Sequence, residues 1–295
     1  MTNVTLDRLN SVEETEFVAA LGDMFEHAPW VAEAVWASRP FRTLASLYQA
    51  MTAAVRASGP ERRLALIRGH PDLAGKAARA GALTADSTAE QASAGLDRLS
   101  EQEFAAFHRL NDCYRAKFGF PFIICVRRHT KSSILRQFER RLQHDTAAEL
   151  DTALDEVFRI VALRLDQRVS APDRLKVHGR LSTHVLDTSS GRPAAGVALE
   201  LLELSDAAER RLIAQSVTNI DGRTDRPLIE QRPLPIGSYE LRFAVGDYFL
   251  RQGAPLSDPP FLALVPVQFA IAEPESHYHV PLLVSPWSYS TYRGS

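Results

Sequence analysis

A chain of 295 residues lies at the upper edge of what one hydrophobic core serves, about 250–300 residues, so two domains are expected. With 45% hydrophobic and 24% charged residues it has the make-up of a globular protein, and a formal net charge of −2 leaves no basic footprint for nucleic acid. No apolar run is long enough to span a bilayer, MTNVTLDRLNSVEETEF has no secretory pattern and the final YRGS is no peroxisomal address, so a cytoplasmic location and no membrane partner are expected.

The predicted elements begin with helices. Ser11 and Glu14 fit a capping box ahead of Phe17, Leu21, Met24 and Phe25. Phe41, Leu44, Tyr48, Met51 and Val55 repeat that spacing, and Ser100 and Glu103 fit a second box before Phe104, Phe107, Leu110 and Tyr114. Ile134, Leu135, Phe138 and Leu142 mark a further helix, and Leu150, Leu154, Val157, Phe158, Val161 and Leu165 the last. Residues 1–168 therefore read as an all-α helical bundle. Cys113 and Cys125 both sit in apolar stretches and read as reduced core thiols.

The polar stretch 169–176, with Pro172, reads as a linker. Beyond it, residues 177–295 break into short β-type runs: VHGRLSTHVLD, VALELLEL, RLIAQSVTNI, YELRFAV, FLALVPVQFAIA and HYHVPLLVS. Tyr239, Leu241, Phe243 and Val245 alternate as one buried face of a strand should. Asp221-Gly222 and Ile236–Ser238 carry turn chemistry, and the spacing of the runs points to a β-sandwich.

Three stretches of the helical half carry polar or punctuating residues. HPDLAG places His70 beside Pro71, which restrains the backbone around a group able to move a proton. Ser87, Glu90 and Gln91 lie in a candidate helix among small residues; a solvated face is the ordinary reading. FGFPFIICVR is an apolar run interrupted by Gly119 and Pro121, which by itself reads as core. As a set, with a late LRL on a helix, these stretches resemble the 2-oxo-4-hydroxy-4-carboxy-5-ureidoimidazoline (OHCU) decarboxylases over residues 5–168. The resemblance implies a cofactor-free decarboxylase giving S-allantoin, with His70 and Glu90 catalytic. The family's arginine falls on Arg164, although Arg159 and Arg168 are near. Substrate contacts fall on Pro71, Ser87 to Gln91, and Phe122, Ile123, Ile124, Cys125 and Val126. On chemical grounds, His70 is the acid/base, Glu90 orients His70 or accepts the ureido N–H groups, and Arg164 pairs with a substrate oxygen. The ring's C=N and carbonyl groups absorb the electrons left by carbon dioxide, so no organic cofactor is needed.

In the β half, His184, Arg223, His277 and His279 interrupt the strand pattern, and the two-residue spacing of His277 and His279 puts them on one face. Each alone reads as a surface or core-satisfied residue. Together LSTHVLDTSSGRPAAGV, TNIDGR, GDYF and HYHVPLLVSPWSYSTYRGS resemble the 5-hydroxyisourate hydrolases, the enzyme branch of the transthyretin-like fold, over residues 176–295. The resemblance implies His184, Arg223 and His279 as catalytic positions, completed by Tyr292, Arg293, Gly294 and Ser295. The histidines suit water activation, and the guanidinium suits a developing oxyanion. Three histidines also offer a zinc set, but the resemblance implies metal-free chemistry.

The expected ligands are therefore 5-hydroxyisourate and OHCU, the first enzyme's product being the second's substrate. Resemblance implies a homo-oligomer, dimer or tetramer, with hydrolase sites at a subunit interface. Competing readings are a small-molecule carrier with a helical oligomerisation domain, or a chain with one inactive half. A carrier has no need of the polar set in the β half.

Overall fold

The computed structural model describes residues 4–74, 84–206 and 209–294. They fall into two compact units, Met1–Arg127 with Ile134–Val177, and Arg128–Ser133 with His178–Ser295. Each has its own apolar core.

The first unit is helical. Its described helices are Leu6–Ser11, Glu14–Leu21, Trp30–Trp36, Leu44–Ala57, Pro60–Arg68, Ala85–Ser93, Glu101–Phe118, Lys131–Arg141 (which begins in the second unit's segment) and Thr146–Arg168. The expected Ser11–Glu14 box is not made. Ser11 ends a helix capped by Thr5, whose hydroxyl accepts from Arg8 N–H at 3.1 Å, and Glu13 makes no side-chain cap. The second box is made: Ser100 Oγ accepts from Glu103 N–H at 3.2 Å and Glu103 accepts from Ser100 N–H at 2.8 Å. The stripe Leu44, Leu47, Met51 and Val55 is buried, as its spacing requires. Asp173 receives the N–H groups of Leu44 (2.7 Å) and Ala45 (3.1 Å), so residues after the last helix tie back onto an earlier helix start. A two-residue parallel pair, β1 (Val4–Thr5) with β2 (Val169–Ser170), also belongs to this unit. Cys125 is buried, but Cys113 is exposed. It lies off the stripe Phe107, Leu110, Tyr114 and Phe118 that its helix turns inward.

The second unit is built on sheets. Its strands are β3 (Gly179–Ser182), β4 (Val185–Asp187), β5 (Arg192–Pro193), β6 (Ala198–Leu204), β7 (Arg210–Val217), β8 (Ile229–Arg232), β9 (Gly237–Phe243), β10 (Val265–Ile271), β11 (His277–His279), β12 (Leu282–Ser285) and β13 (Ser288–Thr291). The sheet orders are β10-β9-β6-β7, β11-β3-β8 and β13-β12-β4-β5. Tyr239, Leu241 and Phe243 on β9 are at most 1% exposed, but the expected alternation is incomplete: Glu240 is also buried, paired with Arg242 and Gln268, and Val245 begins a helix. Ile236–Ser238 is not a turn. Ile236 exchanges backbone hydrogen bonds with Arg128 and Thr130, and β9 begins at Gly237, where a Cβ would stand 2.6 Å from Thr130 Cγ2. The motif GDYF lies in a helix, Val245–Arg251, which strand-type patterning did not foretell.

The loop between β3 and β4 and the pairing of β11 with β3 decide where the polar residues go. His184 occupies the gap between the two strands and bridges to Arg223, while β11 runs parallel to β3 in the register His279 to Ser182. No helix among the described residues is long and apolar enough to cross a membrane.

Candidate active sites

In the helical unit, one cavity is lined by His70, Pro71, Leu73, Ser87, Glu90, Gln91, Phe122, Ile123, Ile124, Val126, Ile160 and Arg164. Three separate sequence stretches and the last helix therefore converge. Cys125 does not line it; its N–H donates to Glu156 at 2.8 Å. Gly75, the last residue of HPDLAG, lies outside the described residues.

His70 follows the Pro60–Arg68 helix, and its Nδ1 lies 2.9 Å from the Leu66 carbonyl. A carbonyl only accepts, so Nδ1 carries the proton and Nε2 presents the lone pair in the neutral ring. Burial pushes the ring down to about 4, against the opposing pull of the Leu66 carbonyl and Glu26, so it is neutral at pH 7.

Glu90 is held by Arg164 rather than by His70. Arg164 Nε donates to Glu90 Oε1 at 2.8 Å and Nη2 to Oε2 at 2.9 Å, a bidentate pair. Arg164 Nη1 lies 3.2 Å from Glu26 Oε2 and 3.3 Å from the Met24 carbonyl. Most of the fork is thus engaged by protein oxygens. Arg159 pairs instead with Glu156, and Arg168 with Asp23 and Asp86. Gln91 Oε1 receives the Ala74 N–H at 2.9 Å, which ties the His70 loop to the Ala85–Ser93 helix.

Glu26 went unnoticed in the sequence. It is 4% exposed, accepts from Thr84 Oγ1 at 2.7 Å and Ser87 Oγ at 3.3 Å, and faces Arg164. Burial pushes its carboxyl up, but the Thr84 hydroxyl, Arg164 and His70 outweigh it and hold the carboxyl below the usual range. No motif surrounds it; only burial beside an arginine marks it.

In the β unit, Ser182 Oγ lies 2.9 Å from His277 Nε2 and 3.0 Å from His279 Nδ1, so the two histidines do share a face and meet at one hydroxyl. Burial lowers His184, with the Arg223 charge next, and the same two causes lead at His279, where His277 and His184 add to the effect. The Arg223 charge therefore reaches both His184 and His279. His184 Nε2 is buried without a partner among the described residues. Two glycines admit the rings: a Cβ on Gly222 would stand 3.1 Å from His184 Cδ2, and one on Gly294 2.8 Å from His279 Cδ2. Gly294 N–H also donates to the His279 carbonyl at 2.8 Å. Arg293 turns to Glu273 (3.1 Å) and lies over the Tyr278 ring, and Tyr292 is 59% exposed. Ser295 lies outside the described residues. Among the described residues no group of three or more His, Cys, Asp or Glu is placed to hold a metal ion.

A helical unit with a His–Glu–Arg cavity, joined to a β unit with a His–Arg–His cluster, defines a two-site class of protein. The OHCU decarboxylase family model matches residues 10–166, and the HIUase/transthyretin family model matches residues 181–294. The chain belongs to the OHCU decarboxylase family and carries, C-terminal to that region, a transthyretin-like one. A crystal structure of (S)-allantoin synthase is 37% identical with a TM-score of 0.52, covering 99% of this chain and 100% of that one. The OHCU decarboxylase of Haloferax volcanii is 43% identical over 171 residues, 58% of this chain and 99% of its own. The 5-hydroxyisourate hydrolase of Halalkalibacterium halodurans is 54% identical over 117 residues, 40% of this chain and 98% of its own.

Proposed function

We propose that the chain is a bifunctional enzyme of urate degradation, hydrolysing 5-hydroxyisourate to OHCU in the β unit and decarboxylating OHCU to S-allantoin in the helical unit. The observation that carries this reading is the likeness of one continuous chain to (S)-allantoin synthase over 99% of its length. The two cores and two polar clusters fit it.

In the hydrolase site, water adds to C6 of 5-hydroxyisourate and the C6–N1 bond breaks, leaving the carboxylate and ureido groups that OHCU carries. His184 and His279, neutral at pH 7, take the water proton and return one to the leaving nitrogen. Arg223 stabilises the oxyanion on C6. Tyr292, Arg293, Gly294 and Ser295 close the substrate pocket.

In the decarboxylase site, the bond from C4 to the carboxylate breaks. Its electron pair moves into the adjoining C=N, and the enol that remains is protonated at C5 as C4 becomes a carbonyl. His70 Nε2 handles these protons. Glu90, fixed by Arg164, accepts from the ureido N–H groups, and Arg164 adds positive charge near the substrate oxygens. Pro71, Ser87, Gln91, Phe122, Ile123, Ile124 and Val126 shape the pocket. No cofactor takes part in either step.

The finer organisation follows from the same reading: a helical bundle over 1–168, a connecting stretch over 169–176 that packs back on the helical unit through Val169–Ser170 and Asp173, and a transthyretin-like β-sandwich over 177–295. The chain works as a cytoplasmic homo-oligomer, dimer or tetramer, with hydrolase sites at a subunit interface.

The test is to generate 5-hydroxyisourate from urate in situ and follow absorbance and circular dichroism. Fast appearance of dextrorotatory S-allantoin is expected; slow racemic allantoin at the enzyme-free rate would overturn the reading. His70→Ala should let OHCU accumulate with hydrolysis intact, and His184→Ala should let 5-hydroxyisourate persist.

A further inference from the structure

Behind the decarboxylase cavity lies a buried polar cluster that the mechanism above does not use. Arg141, 1% exposed, donates through Nε to Glu149 Oε1 at 2.8 Å; Glu149, 0% exposed, also receives the Tyr114 hydroxyl and lies 2.8 Å from His144 Nδ1. Arg141 Nη1 donates to the Ile123 carbonyl at 2.7 Å, and its guanidinium carbon stands 4.3 Å from the centroid of the Phe122 ring. One guanidinium therefore grips two successive residues of the cavity wall. A second buried carboxylate, Glu156, takes the Cys125 N–H at 2.8 Å.

Between those two anchored residues stands Ile124. It lines the cavity and is 3% exposed, yet neither its N–H nor its carbonyl meets a partner among the described residues. A buried backbone pair left open is rare in a folded protein, and where it faces a cavity a ligand is the natural partner. Buried ion pairs are weak evidence of stability, since desolvation offsets their attraction. What Arg141 and Glu149 do supply is direction: two charges of fixed geometry that hold a carbonyl where no helix or sheet would.

We infer that Arg141 and Glu156 are positioning residues for OHCU decarboxylation. They hold the Ile123 carbonyl and the Cys125 N–H away from the substrate, so that the Ile124 amide is left to pair with the adjacent N–H and C=O of the cyclic ureide. Glu149 and Tyr114 act one step further back, by fixing Arg141. The inference rests on the reading of this cavity as the OHCU site.

The test uses the full chain, with OHCU formed in situ, and measures KM and kcat separately. Arg141→Lys keeps the charge but loses the fork, and Glu156→Met keeps the bulk but loses the acceptor. Each should raise the KM for OHCU about tenfold with a smaller change in kcat, because a ground-state contact is lost. Glu156→Gln retains an acceptor oxygen and should restore KM to near the wild-type value. Ser100→Ala, which uncaps a helix outside this cluster, provides the comparison: it lowers the unfolding midpoint at unchanged KM. Unchanged KM in folded Arg141→Lys and Glu156→Met would overturn the inference. If Arg141→Lys fails to fold, the Glu156 pair decides alone, with equal KM for Met and Gln counting against it. Failure of the wild-type chain to consume OHCU would sink the reading of the site itself, a result separable from any variant's.

Discussion

At the residue scale the two sites tune histidine by the same means, burial, but to different ends. His70 is pushed from 6.5 to about 4. Between those values the unfolded chain holds a proton that folded His70 does not, so the stability this residue contributes is present above pH 6.5 and is lost as pH falls towards 4. His70→Asn should therefore lessen the drop in urea midpoint between pH 7 and pH 4.5, and an unchanged drop would show that His70 is not buried neutral. Activity follows the same sign. The acid limb of decarboxylase kcat/KM in the wild-type chain should fall near pH 4 rather than 6.5. Gly294 makes a steric counterpart in the other site. A Cβ there would stand 2.8 Å from His279 Cδ2, closer than packed atoms stand, so the ring must move. Gly294→Ala should cut hydrolysis about 100-fold, the scale of loss when a reacting group shifts by an ångström, with OHCU decarboxylation unchanged. As candidates, His70, Glu90, His184, Arg223 and His279 stood out because each sits in a short distinctive stretch, whereas Arg164 shared its helix with Arg159 and Arg168. Glu26 and Ser182 were not singled out: an acid before His27 and a serine in a strand look ordinary until burial and neighbours are known.

At the scale of elements, legibility followed the strength of the repeat. Glu101–Phe118 showed both its start, in the Ser100–Glu103 box, and its inward stripe. Pro60–Arg68 did not, since only Leu66 and Ile67 of its nine residues are buried and its other positions give no apolar rhythm. The Val245–Arg251 helix was hidden for the opposite reason, because Val245, Tyr248 and Phe249 are buried and extend the apolar run of β9. Local pattern also cannot reveal a cap delivered from far along the chain. Asp173 serves the first turn of Leu44–Ala57 from across 129 residues, accepting from two N–H groups that no helical carbonyl can reach. Asp173→Ala should cost about 1 kcal/mol of stability in urea unfolding followed by circular dichroism at 222 nm, while leaving decarboxylase KM unchanged. A KM change without a stability change would mean that Asp173 serves the site rather than the helix.

At the scale of the whole molecule, the change of style near residue 170 was the plainest signal in the chain: a period near 3.6 gives way to a period of two, and the structure answers with two cores. Each described site draws its side chains from its own unit, so the chemistry of one does not require residues of the other. Fusion then adds proximity rather than a shared mechanism, and OHCU formed in the β unit can reach any helical unit by diffusion. Two singly inactivated chains should therefore complement. An equimolar mixture of His70→Ala and His184→Ala should form S-allantoin from urate-derived 5-hydroxyisourate, at a steady rate set by the concentration of intact sites. The lag before that rate should match wild-type chain adjusted to the same number of each site. A mixture that failed to form S-allantoin, although each variant kept its own remaining activity, would mean that OHCU does not leave the chain that makes it. A lag longer in the mixture than in matched wild-type chain would measure the advantage of having both sites on one polypeptide, which scales with the effective concentration the connection imposes.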